Sequence, residues 1–168
     1  MDTASNSIYS QAVERAREAY RRATAHRSSA TFWGVVRYGL GLVAAALSVV
    51  AGTDLFGSSA TKAAGLLGGF AAAALALLAP GETAEQHRAA AARWEGLDRR
   101  ATTFAEAHIP SGEDTAQLLQ GLDDLVEEAN TIGRDSPNIA RWSYAWATSR
   151  ANKNRPAPAK TVSRPNVD

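Results

Sequence analysis

The three histidines, His26, His87 and His108, are the side chains of this sequence that would first suggest a metal site or acid–base catalysis. Such sites need several ligands or proton-transfer groups at the spacings of one helix face or one turn. No histidine has another histidine at such a spacing, and Glu82 and Glu85 near His87 are better explained as surface residues of a helix. The sequence therefore predicts neither a metal site nor a catalytic histidine.

Other reactive patterns are missing from the sequence as well. The chain has no cysteine, which excludes disulfides, thiolate zinc sites and a cysteine nucleophile. The glycine-rich stretch Gly65–Gly69 lies within an apolar helical pattern and cannot bind phosphate as a loop between a strand and a helix does. Asp54 is better explained as a turn residue, and the acids of 113–128 as a solvated helix face, than as ion-binding groups. We therefore expect no enzyme activity and no cofactor.

Two apolar segments are the elements to which the rest of the chain is attached. They are Phe32–Ala51 and Ala63–Gly81, and the short, turn-like segment Gly52–Lys62 separates them. A hydrocarbon core of about 30 Å requires about 20 apolar helical residues, with about 17 as the lower limit. The second segment carries no charge, and the first carries only Arg37. The pattern predicts a membrane hairpin with helices at about 32–51 and 63–80.

The predicted hairpin is only marginally apolar. Each Leu, Ile, Phe or Val contributes about −0.3 to −0.6 kcal/mol at the centre of a membrane helix, which gives about −4 kcal/mol for the first segment, before Arg37 is counted, and about −3 kcal/mol for the second. Such a hairpin would gain from pairing with other copies, and we expect a homo-oligomer in the lipid bilayer. A hairpin buried inside a soluble helical protein is the alternative, although the rest of the chain has few large apolar residues to cover both helices.

Positive charges lie on both sides of the hairpin and are nearly absent from its connection. Arginines precede the first segment and follow the second, whereas the connection contains only Lys62 against Asp54. By the positive-inside rule, we expect both termini on the cytoplasmic side of a cell inner membrane. The net charge of +1 does not indicate a nucleic acid partner, and we expect none. A cleaved signal peptide is disfavoured because the apolar region begins only at Phe32.

Two groups of residues in the hairpin have predicted roles in the membrane. Aromatic and basic residues at the entry of the first helix are typical of the bilayer interface: Phe32, Trp33, Arg37 and Tyr38. Core packing is the alternative for the aromatic residues. In the second helix, small residues that would let two helix backbones approach closely recur every four positions: Gly65, Gly69 and Ala73.

Amphipathic helices flank the predicted hairpin. One covers Ser7–Ser29 and the other runs from Glu82 to about Ala107, and both have apolar residues at spacings of three and four. The first apolar stripe consists of Tyr9, Val13, Ala16, Tyr20 and Ala23. These two helices could pack as an antiparallel pair beneath the membrane. Pro80-Gly81 predicts a break or kink between the second membrane helix and its extension.

The C-terminal part of the chain predicts two further helices. Leucines at helical spacing and acids on the other faces indicate a helix over about Gly112–Thr131. Ser136-Pro137 predicts the start of the last helix. Trp142 and Trp146, one turn apart, could bind a partner, lie at the membrane surface or pack against the acidic helix. The tail at 151–168 has the composition of a disordered segment.

This order of elements resembles a known family. A charged helix, Ala-Arg-Glu-Ala-Tyr-Arg-Arg-Ala-Thr-Ala-His-Arg, leads into the two apolar segments, and Glu-Gln-His-Arg-Ala-Ala-Ala-Ala-Arg-Trp-Glu-Gly-Leu-Asp-Arg-Arg follows them. Over about Ser7–Ala107 the chain resembles the SLATT domains (SMODS- and SLOG-associating two-transmembrane effector domains) of prokaryotic conflict systems. The resemblance implies a pore-forming, antiviral effector that stays silent until a nucleotide-synthesising or nucleotide-sensing protein partner signals infection.

The sequence thus predicts an all-α protein with a two-transmembrane effector domain at 7–107, cytosolic helices at 111–150 and a disordered tail at 151–168. We expect it to oligomerise and to permeabilise the inner membrane when it is activated. A passive membrane-anchored scaffold that recruits cytosolic partners is the alternative function, and a soluble helical bundle is the alternative fold.

Overall fold

Five α-helices and one π-helical turn make up the described part of the chain. The computed structural model describes residues 3–53, 57–110 and 114–154, without the side chains of residues 151, 152 and 154. The α-helices are α1 (Thr3–Ala51), α2 (Ser58–Leu78), α3 (Pro80–Thr103), α4 (Thr115–Asp135) and α5 (Arg141–Asn154), and the π-helical turn Phe104–His108 continues α3. No strand occurs within these ranges, which confirms the all-α prediction. Asp54 lies outside the described residues.

Helix α1 runs without interruption from the predicted cytosolic helix into the first apolar segment. Its 49 residues extend for about 74 Å. The buried residues of α1 all lie between Ile8 and Ala30. We call the part formed by Thr3–Thr31 with α3, α4 and α5 the bundle, and the part formed by Phe32–Ala51 with α2 the hairpin. One rigid element therefore joins the two parts.

The bundle is built on an antiparallel pair of α1 and α3, as the two apolar stripes predict. Its centre contains alanines from both helices and two larger residues from α3: Ala16, Ala19, Ala23, Trp94, Leu97 and Ala101. The buried stripe of α1 includes Ala12 and Ala19, whereas Tyr9, Val13 and Tyr20 of the predicted stripe are half-buried. Alanines on α1 let the two helix axes approach closely. The indole of Trp94 lies beside Gly133 of α4, and the guanidinium of Arg22 stacks on it.

The predicted break before Pro80 is present. Ala79 adopts a left-handed conformation, with φ 38° and ψ 51°, and Pro80 occupies the first turn of α3. Proline lacks the amide hydrogen that α2 would need to continue, and its ring clashes with the preceding turn. The first turn of a helix tolerates it because that amide has no helical acceptor. Helix α2 accordingly ends at Leu78, two residues before the predicted end of the second membrane helix.

Helix α4 packs against α1 and α3 through its leucine face. Its buried residues are Leu118, Leu122, Leu125 and Ile132. The hydroxyl of Ser136 donates a hydrogen bond to the carbonyl of Ile132 at 2.6 Å, and Ser136 itself is extended, as residues before a proline prefer. The chain therefore leaves α4 at this point.

The prediction that Ser136-Pro137 begins the last helix is wrong, since α5 begins only at Arg141. Helix α5 lies antiparallel to α1, and it extends to Asn154, so the first residues of the predicted tail are helical. Residues 155–168 lie outside the described residues.

Candidate functional site

The hairpin exposes a large apolar surface. Two helices of the described chain are long and apolar enough to cross a membrane, and no residue in the most apolar part of α1 is buried. Large apolar side chains that face outward on the two helices are Val35, Tyr38, Leu42, Val43, Val49, Leu66, Leu67, Phe70, Leu77 and Leu78. Leu77 is 85% exposed and Phe70 is 71% exposed. This surface has no partner within the described chain, so a lipid phase or another protein would have to cover it.

The two helices of the hairpin meet at a seam that differs from the predicted packing residues. The residues of α2 that are buried against α1 are Ala64, Gly68 and Ala71. A Cβ atom on Gly68 would lie 3.3 Å from the Cβ atom of Leu47, so this glycine allows the closest approach. Gly69 would place a Cβ atom in open space, and Ala73 is exposed. Gly69 and Ala73 therefore face away from α1, whereas a Cβ atom on Gly65 would lie 3.8 Å from the Cβ atom of Ala51 on α1. The role of the predicted row in contacts between copies stays a prediction.

The base of the hairpin contains the four residues predicted to lie at the bilayer interface. Phe32 and Tyr38 are exposed, Trp33 is half-buried, and the Phe32 and Trp33 rings are 5.6 Å apart. The guanidinium of Arg37 extends across the α2–α3 break, where a Cβ atom on Gly81 would lie 2.8 Å from its Nη1 atom. Glycine at position 81 therefore leaves room for the arginine beside the end of α2.

Directly below Arg37, two histidines join α1 to α3. The Nδ1 atoms of His26 and His87 are 2.9 Å apart, and both side chains are almost completely buried. Spacing along the sequence did not predict this contact, because the two histidines lie 61 residues apart. His87 is buried against α1 and does not lie on the helix surface. Burial lowers the pKa of His26 to about 4, with further contributions from His87 and Arg22, and burial also lowers the pKa of His87. The pair is neutral at pH 7 and forms one hydrogen bond between the helices.

No metal site accompanies the histidine pair. The described ranges contain no group of three or more histidine, aspartate or glutamate side chains that could hold an ion. Buried polar atoms between two helices require hydrogen-bond partners. The hydrogen bond between the two neutral rings gives each Nδ1 atom such a partner. The histidine pair therefore has a structural role, and it differs from the apolar contacts between the two helices because protonation changes it.

Helix α5 places the two predicted contact tryptophans along α1 and not against the acidic helix α4. The Phe32 and Trp142 rings are 5.4 Å apart, and the guanidinium of Arg150 stacks 5.0 Å from the Trp146 ring centre. Trp142 is 52% exposed and Trp146 is 48% exposed. The two indoles therefore have about half of their surface available for a ligand, the bilayer or another protein.

Polar contacts fix α5 in this position. The buried hydroxyl of Ser143 donates a hydrogen bond to the carbonyl of Ala25 at 2.7 Å and accepts one from Ser29 at 3.1 Å. The hydroxyl of Tyr144 donates to the carboxylate of Glu18. Burial raises the pKa of Glu18, but Arg22, Tyr144 and Arg21 together lower it by more, so it lies below its ordinary value. These contacts were not apparent from the sequence, because α5 has no strong apolar stripe.

Comparison with protein-family models, with curated proteins and with solved structures finds no match to this chain.

Proposed function

We propose that this chain is a two-span membrane protein of the inner membrane, with both termini in the cytoplasm, whose copies assemble and permeabilise the bilayer. In this proposal the bundle is the cytosolic part that responds to a nucleotide-linked partner of a conflict system, as the resemblance to SLATT domains suggests. The proposal needs no catalytic group, because harm to the cell follows from loss of the membrane barrier.

The exposed apolar surface of the hairpin carries this proposal. The apolar side chains of the bundle are buried in its own core. The apolar side chains of the hairpin that lie outside the α1–α2 seam face outward instead. In water, each fully exposed Leu or Phe would forgo about 1.5–3 kcal/mol of burial free energy. The charge-free part of α2, Ala63–Leu78, rises about 24 Å, and Arg37 can extend its charge from the apolar layer to the interface. A bilayer therefore accommodates this surface better than water does.

A single copy of the hairpin cannot form a permeable structure, and this supports assembly. Two helices cannot enclose a pathway for ions, so several hairpins would have to line it. The row of Gly65, Gly69 and Ala73 is exposed on α2 and would allow close contact between copies. Since α1 is continuous, a movement of the bundle would be transmitted directly to the hairpin.

A pair of arginine substitutions tests the proposal. Phe70→Arg places a charge on the exposed face near the middle of α2, where insertion of arginine costs about 2.5–3.5 kcal/mol, roughly the whole insertion free energy of this helix. We expect the variant to lose flotation with lipid vesicles and to release no dye from them. Leu119→Arg, at a residue of α4 that is also exposed, is the control and should float and release dye like the parent.

The alternatives give different results in the same assay. In a soluble bundle, both substitutions replace an exposed side chain, and neither would change vesicle binding, because the parent itself would not float. In a membrane-anchored scaffold, the parent would insert but would release no dye, even at ratios of protein to lipid high enough to drive assembly without the activating partner. Either result would overturn the permeabilising function.

A further inference from the structure

A groove runs along the bundle between α1 and α5, beginning next to the hairpin. Its volume is about 730 Å³, and residues from both helices line it: Tyr20, Thr24, Arg27, Ser28, Thr31, Trp142, Trp146 and Arg150. At its upper end, the contact between Phe32 and Trp142 marks the point where the exposed apolar surface of α1 begins. The groove is therefore continuous with the surface that the proposed function places in the bilayer.

The charge of the groove is positive. Two arginines and no acidic residue line it, and Arg27 forms an ion pair with Glu95 of α3 outside the lining. Helix α5 carries Arg141, Arg150 and Lys153 and contains no acid. Positive charge of this kind, placed within a Debye length of the cytoplasmic leaflet, is attracted to anionic lipids. The side chain of Arg150, whose guanidinium stacks on Trp146, is exposed. A guanidinium offers several N–H donors that suit a phosphate.

The upper part of the groove, from Phe32 to Arg27, corresponds to the headgroup layer. Arg27 lies five residues before Phe32, which is about 8 Å along the axis of α1. The headgroup layer on each side of the hydrocarbon core is about 5–8 Å thick. Side chains on a helix lean toward its N-terminus, and the N-terminus of α5 is the end at Phe32. The backbone of Arg150 lies eight residues after Trp142, about 12 Å further from the hairpin, and its side chain reaches back toward Trp146 and the headgroup layer.

We propose that this groove binds the anionic headgroup of a phospholipid from the cytoplasmic leaflet, with Arg150 holding the phosphate and Trp142 and Trp146 flanking the glycerol backbone. Indoles prefer the bilayer interface because one edge is apolar and the other donates a hydrogen bond. The hydroxyls of Ser28 and Thr31 donate to backbone carbonyls of α1, so they can accept hydrogen bonds from a hydroxyl of the headgroup. Such a lipid would fix α5 to α1 at the level of the membrane. This inference rests on the membrane placement in the proposed function.

The test uses the full chain labelled with 5-fluorotryptophan in bilayer discs. The chain has four tryptophans, of which Trp94 is buried in the bundle and serves as the internal reference. Discs of phosphatidylcholine are compared with discs in which part of this lipid is phosphatidylglycerol. We expect the ¹⁹F resonances of Trp142 and Trp146 to shift with phosphatidylglycerol while that of Trp94 does not. Arg150→Gln should weaken the response about tenfold, whereas Arg99→Gln, an exposed arginine of α3, should not change it.

Each outcome decides the inference. Shifts that are equal in Arg150→Gln and in the parent would overturn it, because they would reflect only the surface potential of the disc. Shifts of the same size on adding glycerol phosphate to phosphatidylcholine discs would also overturn it, since the groove would then bind a soluble anion. If the parent enters the discs and releases dye from vesicles but shows no shift, only the lipid site is wrong. If the parent does not enter discs of either kind, the membrane placement is wrong as well.

Discussion

The contact between His26 and His87 joins the two long helices of the bundle immediately below the hairpin, with 2.9 Å between their Nδ1 atoms. One ring donates its Nδ1 hydrogen and the other accepts it, so both rings have to be neutral or share a single added proton. When both rings are protonated, two donors and two positive charges face each other in a buried site. The junction between bundle and hairpin is therefore sensitive to acid.

The histidine pair predicts a loss of stability on acidification. The pKa of His26 is lowered from 6.5 to about 4, so its stabilising effect is complete above pH 6.5. Below pH 6.5 the unfolded chain binds a proton that the folded chain does not, and stability falls until about pH 4. The loss from His26 alone is about 3 kcal/mol at pH 4, of which about 2 kcal/mol is reached at pH 5. Thermal unfolding of the full chain, followed by circular dichroism across pH 7 to 5, measures this first part.

Substitution of the pair isolates this effect from carboxylate titration. The variant with both His26→Gln and His87→Gln should have a nearly constant unfolding temperature between pH 7 and 5, because glutamine does not titrate. His108→Gln removes the third histidine, whose side chain is exposed, and should keep the pH dependence of the parent. An equally steep pH dependence in the double variant would show that other groups cause it.

The sequence predicts the partners of the main helices but not which side chains meet. The stripes of α1 and α3 predict their antiparallel pairing, and Pro80 predicts the break, because these depend on helical spacing and on the missing amide of proline. The pairing of His26 with His87 depends on the register between two distant helices, which spacing within each helix does not give. Both histidines nevertheless lie in line with the apolar stripes, and that position was a signal of burial.

The residues at the seam of the hairpin could not be predicted from the sequence for a similar reason. Gly65, Gly68 and Gly69 all lie within one helical turn and a half, and only the rotation of α2 about its axis decides which of them faces α1. That rotation is fixed by the left-handed Ala79 and by the packing of α3, which are features of the folded chain. The spacing of small residues alone therefore predicts a close contact without identifying its partner.

Two leucine substitutions separate packing within the hairpin from packing between copies. Gly68→Leu forces a large side chain against Leu47, where even a Cβ atom is at 3.3 Å, and should destabilise the chain by about 1–3 kcal/mol. A Cβ atom on Gly69 would meet no atom within 4 Å, so Gly69→Leu should change the stability of the monomer much less. Thermal unfolding in detergent, at protein concentrations too low for assembly, compares the two. Equal stabilities would contradict the seam at Gly68.

Gly69→Leu also tests the predicted oligomer. It should weaken crosslinking between copies in membranes, because its side chain blocks close approach on the exposed face of α2. Ala63→Leu, at an exposed position on another face of α2, is the matched control. If Gly69→Leu crosslinks as efficiently as the control, the contact between copies uses another face of the hairpin.

Docking of α5 depends on the buried hydroxyl of Ser143. Ser143→Ala removes its hydrogen bonds with Ala25 and Ser29, and the loss should cost about 1–2 kcal/mol. Ser149→Ala, on the exposed face of the same helix, should cost much less. Chemical unfolding followed by tryptophan fluorescence reports the difference, because Trp142 and Trp146 lie on α5. Equal effects of the two substitutions would show that the Ser143 contacts add nothing to stability.

The topology predicted from the arginines of the hairpin can be tested in cells. Arginines lie at the base, from Arg37 downward along the bundle, while the far end has Lys62 as its basic residue, so the positive-inside rule predicts that the bundle lies in the cytoplasm. A reporter that is active only in the cytoplasm should work when it is fused at residue 1 or residue 168 and fail when it is inserted after Gly57. A reporter that requires export should give the opposite pattern. Cytoplasmic activity of the insertion after Gly57 would mean that the hairpin does not cross the membrane, and the exposed apolar surface would then have to be covered by protein.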